Sequence, residues 1–463
     1  KELKMSPILY YSTNSKLSPE AGINPFRERV TFRDALLMGQ APDEGLFMPQ
    51  IIPKLTREEI MRLKGTAYWE AAFLVAKAFL KEDLLLEVLE RIVQESYNFP
   101  VPIEPVTDEK YILRLDQGPT ASFKDFAARM MARLMSVFRP AGERLHVLVA
   151  TSGDTGSAVG EAFKGVEGID VTILYPREEV SGRQKKQLDT IGGNVQAISV
   201  AGKFDDCQNL VKEAFADPDL KEINLTSANS INIGRIIPQI VYYVWSYAQV
   251  AKEGEEVVFS VPSGNFGNAL GCEYARRMGL PVKKLLMPTN ENDEFPLFLS
   301  TGVYRKVSPS RACLSSAMNV GHPSNLARFF DLYGGTVDRM GKVHAYPNVE
   351  EMKKHIFSIS VSDAETRETI VRIYERYGVL LEPHGAVGWR GMEAFLASNE
   401  VKCPCLCLET AHPAKFPDEI KELLGIEPEA PPSLQAVEMR KGNPIEMRAS
   451  YEELKAYLLS KRD

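Results

Sequence analysis

Three times in the middle of this chain a short apolar run passes into a loop of small residues and then into a helical pattern. The segments are "LHVLVA-TSGDTG-SAVGEAF" from residue 145, "DVTILYP" followed by "RQKKQLDTIGG" from residue 170, and "VVFSVP-SGNFGN-ALGCEYARRMG" from residue 257. Strands that alternate with helices pair in parallel through crossover connections, so the expected fold is α/β with mostly parallel, twisted sheets. In such sheets ligands gather where strand ends meet helix N-termini. The loops of these units are therefore where a site is expected.

The first hundred residues read differently. Helical patterns such as "TFRDALLMG" and "DLLLEVLERIVQESY" alternate with Pro- and Gly-containing turns and stop at the Pro-rich "NFPVPIEPV", which predicts a mainly helical N-terminal region. A chain of 463 residues needs more than one core. Its net charge of −7, with Lys and Arg scattered, argues against a large nucleic-acid or membrane footprint. Apolar stretches such as "IIPQIVYYVW" fall short of the ~20 residues that span a bilayer, which makes the cytoplasm the default expectation. The six cysteines show no zinc-site spacing. Cys403, Cys405 and Cys407 in "KCPCLCLET" share one face of an expected strand, read as a buried apolar face with a soft-metal site as the alternative.

Two loops carry the chemistry. In "SGNFGN", Ser263 to Asn268, Gly264 and Gly267 are expected to take backbone conformations closed to other residues, so that N–H groups converge on one anion at a positive helix end. "TSGDTGS", Thr151 to Ser157, has more hydroxyls and one carboxylate and suits a small polar substrate. Upstream, in "GPTASFKDFAARMMARL", Lys124 follows Thr120 and Ser122, lies between Phe123 and Phe126, and opens a helix whose Phe126, Met130, Leu134 and Phe138 form an inward stripe. A lone lysine at a helix start is ordinarily a solvated charge. Partly desolvated, it favours the amine that attacks an aldehyde. Beside a phosphate-cradling loop, the aldehyde indicated is pyridoxal 5′-phosphate.

Seven ordered blocks, "TFRDALLMGQAPDEGLFMP", "GPTASFKDFAARMM", "ATSGDTGSAV", "NSINIGRIIPQI", "VPSGNFGN", "EPHGAVG" and "TAHPAKF", make the chain resemble the threonine synthases, within the pyridoxal-phosphate enzymes that share the tryptophan synthase β-subunit fold. The resemblance implies fold type II. It implies an N-terminal region of residues 1–99, a large cofactor-binding α/β domain of 100–139 and 246–463, and a smaller substrate-side α/β domain of 140–245. It further implies a lyase, a monomer or homodimer, that converts O-phospho-L-homoserine and water to L-threonine and phosphate by γ-elimination and β-hydration. Lys124 is then the Schiff-base lysine, Gly264, Asn265, Phe266, Gly267 and Asn268 surround the cofactor phosphate, and Thr410 faces the pyridine nitrogen. Asn268 departs from the pattern, standing where relatives carry Asp; a neutral side chain beside a dianion is the easier to accommodate.

By the same resemblance Ser152, Asp154 and Thr155, with Thr120 and Ser122, meet the amino-acid end of the substrate. A carboxylate beside a carboxylate is repulsive, so Asp154 is expected to orient its loop or to neighbour the imine. For the substrate phosphate, "SANSINIGR" offers Asn229, Ser230 and Asn232 at a helix start with Arg235 one turn in. Lys415 is the second candidate. Either cation could instead be a solvated helix-end charge. His384 and His412 are expected to fix loops, since Lys124 can already move protons. A lyase forming 2-oxobutyrate from the same phospho-substrate, a serine/threonine dehydratase, and a non-catalytic cofactor carrier or phosphometabolite-binding regulator on the same scaffold are the rival readings. Residues 303–358 and the tail after 425 carry no legible chemistry.

Overall fold

A computed structural model describes residues 6–461. The alternating units form two sheets. The six-stranded sheet has the spatial order Ile356–Phe357, Val282–Leu286, Val257–Ser260, Cys405–Glu409, Lys110–Arg114 and Ile103–Thr107. Every pairing is parallel except the last, a short antiparallel turn-back. The five-stranded sheet is wholly parallel, in the order Ile445–Arg448, Val195–Ala201, Ile169–Pro176, Leu145–Ala150 and Leu225–Thr226.

Period-two alternation divides each strand between two cores. In Leu145–Ala150, Val147 and Val149 join the largest apolar cluster, while Leu148 and Ala150 join a second on the outer face. In Cys405–Glu409, Leu406 and Leu408 face the largest cluster, and Cys405 and Cys407 pack under the helix Pro383–Ser398. Cys403 lies just before that strand, in the same cluster. All three thiols are free and buried, as the apolar reading expected.

One strand departs from the expected organisation. Ile445–Arg448 pairs with Val195–Ala201, so the segment that the sequence reading grouped with residues 246–463 completes the other sheet. The cause is burial: Met447 there, with Leu454 and Leu458 of the helix Tyr451–Leu459, covers the apolar face made by Leu148, Leu174 and Ile198.

The N-terminal region is largely helical. Its helices Tyr68–Leu80 and Leu86–Ser96 pack on the helices Val241–Val250 and Lys124–Phe138. The junction is aromatic: Phe126 meets the edges of Tyr68, Phe99 and Tyr242 with ring centroids 5.1–5.5 Å apart, and the Tyr97 hydroxyl donates to the Phe126 carbonyl. The start of the Lys124 helix is thereby clamped from behind. Among the described residues no helix is long and apolar enough to cross a membrane.

Candidate functional site

Lys124 is the first residue of the helix Lys124–Phe138. No side chain of Phe123 caps this helix; Asp125 instead turns back, its Oδ2 accepting from Thr120 N–H and its Oδ1 from the Thr120 hydroxyl at 2.6 Å. The loop is then stitched to the end of the strand Cys405–Glu409. Phe123 N–H donates to the Thr410 carbonyl, His412 N–H donates to the Ala121 carbonyl, and Ser122 bridges to Ala411. Ala121 adopts a left-handed backbone, φ 56°, in the middle of this junction. Thr410 and Lys124 are in this way fixed relative to each other by the backbone.

Burial is the largest influence on the Lys124 amine and brings its pKa down to about 8; Asp154 opposes this, and Lys415 and Arg235 reinforce it. The sequence reading of a desolvated lysine is met. Four charged side chains from distant segments, Asp154, Lys415, Arg235 and Glu382, thus act on one amine.

The glycine loop differs in detail from expectation. Neither Gly264 nor Gly267 is left-handed; Phe266 is, at φ 65°, and it caps the helix Gly267–Met278 with its ring packed 4.9 Å from that of Phe295. Gly264 is required for a steric reason, because a Cβ there would lie 2.7 Å from the Ala317 carbonyl oxygen. Asn265 is exposed, and Ser324 donates to its Oδ1. Asn268 is buried, its Oδ1 accepting from the hydroxyls of Tyr242 and Tyr243 at 2.5 and 2.6 Å, which leaves its Nδ2 without a partner.

In the second loop, Gly153 has φ 138° and precedes the helix Asp154–Phe163, while the Thr151 hydroxyl accepts from the N–H groups of Gly153 and Gly156. Ser152 is exposed and Thr155 half-buried. Asp154 is buried and pairs with Lys415 at 2.7 Å. Burial alone would raise its pKa, but Lys415 and Lys124 hold it well below the usual carboxylate range. Lys415 is therefore no solvated end charge: its Nζ also donates to the Thr120 carbonyl, to which Gln187 donates as well.

Arg235 lies in the short turn Ile233–Arg235, capped by Asn232. Asn232 spends its side chain on protein, donating to the carbonyls of Leu36 and Ser227 and accepting from Gly234 N–H. Arg235 is buried and donates to the Ala228 carbonyl, but its Nε has no partner. Burial pulls its pKa down to about 10, which leaves it charged at neutral pH.

The two histidines serve loops, as expected. His384 Nδ1 lies 2.6 Å from Glu382, and its Nε2 accepts from Ala317 N–H, the residue whose carbonyl crowds Gly264. His412 accepts from Ala414 N–H, and burial lowers its pKa to about 4. Sequence reasoning missed the acidic group behind Thr410. Burial, reinforced by Glu382, raises Glu409 well above the carboxylate range against the pull of Arg114.

These residues suit a phosphate-bearing aldehyde. Ser122 Oγ, Asn268 Nδ2 and Arg235 Nε are buried polar atoms without partners, each able to donate to an acceptor, and they accompany a lysine biased toward its free amine.

Comparison with known proteins agrees with this chemistry. Residues 104–403 match the family described as Pyridoxal-phosphate dependent enzyme, residues 10–97 the Threonine synthase N terminus, and residues 385–458 the Threonine synthase C-terminal family. The chain is 38% identical to the threonine synthase of Haemophilus influenzae over 93% of its own length and 97% of the relative's. Among solved structures, the pyridoxal-phosphate-bound threonine synthase of Brucella melitensis superposes with a TM-score of 0.88 at 33% identity, covering 97% of this chain and 98% of that one. The yeast threonine synthase superposes at 0.86 with 31% identity, covering 98% and 99%.

Proposed function

The chain belongs to the threonine synthase family, and we propose that Lys124 is the residue through which it performs that family's reaction. The enzyme is a pyridoxal-phosphate-dependent lyase that converts O-phospho-L-homoserine and water to L-threonine and phosphate. When bound, the cofactor supplies a carbonyl with which an amine condenses and an electron sink for carbanion chemistry at the substrate.

The observation that carries the assignment is the pairing of a lysine whose pKa is brought to about 8 with a buried, charged arginine that keeps one N–H unpartnered. Lys124 Nζ would hold the cofactor, and its free amine would take the proton from the substrate Cα. Gly264 to Asn268 hold the cofactor phosphate at the start of their helix, where free N–H groups and the dipole favour an anion. Asn268 would add its unpartnered Nδ2 to that hold, and the Thr410 hydroxyl would serve the ring nitrogen.

Arg235 and the Ser230 hydroxyl take the substrate phosphate. Asn232 shapes that loop, and Lys415 stands by as the second cation. Ser122, Ser152 and Thr155 meet the amino-acid end of the substrate. Asp154 stands against Lys415 and near Lys124, so it is taken up by these cations and does not meet the substrate carboxylate. Thr120, bound to Asp125, keeps the lysine loop in place. Closing the five-stranded body against the six-stranded one excludes water other than the one consumed.

The test is incubation of the purified enzyme with O-phosphohomoserine, scoring threonine against 2-oxobutyrate, together with borohydride reduction and peptide mapping. A pyridoxyl adduct on Lys124 is expected. An adduct on any other lysine overturns the assignment.

A further inference from the structure

Arg328, in a segment where the sequence shows no chemistry, is completely buried in the helix Leu326–Leu332. All four of its hydrogen bonds go to carbonyl oxygens. Nε donates to Phe47 at 3.0 Å, one terminal nitrogen to Ser230 at 3.1 Å and to the Asn325 side chain at 2.6 Å, and the other to Ile231 at 2.7 Å. No carboxylate among the described residues forms a salt bridge with it, although a buried charge is ordinarily paired. Burial lowers its pKa only to about 10, so the charge persists at neutral pH.

Its partners lead directly to the phosphate-facing loops. Asn325 N–H donates to the Asn265 carbonyl, and the Asn325 side-chain amide donates to the Ser230 carbonyl at 3.3 Å. A Cβ on Gly267 would stand 3.4 Å from Asn325 Nδ2 and 3.5 Å from Ser230 Cβ, so the arginine's partners lie in contact with the glycine loop. The planar fork ties the N-terminal strand Phe47–Pro49 to the Ser230–Ile231 turn that leads to Arg235, and through Asn325, whose N–H donates to the Asn265 carbonyl, it reaches the loop Gly264–Asn268. A lysine at this position would bring the charge without the fork.

We propose that Arg328 is a positioning residue for phosphate recognition, holding the glycine loop and the Ser230 turn in one frame and adding a positive charge that no protein anion takes up. This rests on the assignment of the glycine loop to the cofactor phosphate. A residue that only supported packing would change stability without changing how well the protein distinguishes a phosphorylated ligand from the same ligand without its phosphate.

The measurement is the ratio of affinities for pyridoxal phosphate and pyridoxal, read by absorbance titration after removal of cofactor from the holoenzyme. Both ligands condense with Lys124, so the ratio isolates the phosphate. A wild-type ratio near one would overturn the glycine-loop assignment itself. With a large wild-type ratio, Arg328→Gln is expected to reduce it at least tenfold and Arg328→Lys to restore part of the loss. A folded Arg328→Gln protein with the wild-type ratio overturns the inference. If Arg328→Gln does not fold, Asn325→Ala, which keeps the guanidinium but removes the side chain that accepts from it and donates to the Ser230 carbonyl, decides the same question: a reduced ratio supports the inference, and an unchanged one overturns it.

Discussion

Lys415 Nζ stands 2.7 Å from Asp154 Oδ1, with both side chains almost fully buried. Taking one partner from such a pair strands the other charge, at a typical loss of about 3–5 kcal/mol. Asp154→Asn should therefore lower stability by that order, and Lys415→Met similarly. The acid limb gives a separate check. Because the folded pKa of Asp154 lies below the ordinary carboxylate value, its contribution is fully present above about pH 4 and is lost as the pH falls further. Chemical denaturation from pH 6 to pH 3 should show the gap between wild type and Asp154→Asn narrowing toward the acid end. A gap constant with pH would refute the pairing.

Lys124 gives the same slope with pH but a cost in place of a gain at neutral pH. Its folded pKa of about 8 lies below the unfolded value near 10.4, so the unfolded chain binds more protons between those limits and stability rises with pH across them. In cofactor-free protein Lys124→Met should raise the melting temperature at pH 7 and lose that advantage by about pH 10.5. Turnover should fall about 10²–10⁴-fold or more for want of the proton carrier.

Arg235 separates affinity from stability. As a buried cation that forms no salt bridge among the described residues, it costs the free protein energy that a bound phosphate would recover. Arg235→Gln should weaken kcat/KM for O-phosphohomoserine by about 10–150-fold, the worth of a charged hydrogen bond, while leaving thermal stability equal or higher. A destabilised variant with normal kinetics would contradict the role.

Gly264→Ala tests the glycine loop without touching charge. The added methyl would meet the Ala317 carbonyl at 2.7 Å, and because that turn is tethered to His384, it yields at a cost of about 1–3 kcal/mol. Weaker retention of the cofactor on dialysis is expected. Relief by His384→Ala, which frees the turn, would show that the obstruction lies there.

What could be read in the sequence was what neighbours in the chain decide. Lys124 at a helix start, the hydroxyls before it, the two Gly-containing loops and the apolar stripe of Phe126, Met130, Leu134 and Phe138 all follow from periodicity and turn chemistry. The Asp154–Lys415 pair and the Arg328 fork could not, since their partners lie far off in the chain and only the closed fold brings them together. Gly264 was singled out for the wrong reason: a glycine chosen for a close carbonyl looks the same in sequence as one chosen for its dihedral angles. The short strand Ile445–Arg448 shows no alternation strong enough to name the sheet it joins.

That strand also sets the order in which the protein is completed during translation. Until residues 445–448 leave the ribosome, Val195–Ala201 is an open border of the five-stranded sheet, with a row of unmet peptide groups free to recruit another chain. The junction that holds Lys124 against Thr410 and His412 is itself made of late segments, so the lysine loop and this flank are completed close together.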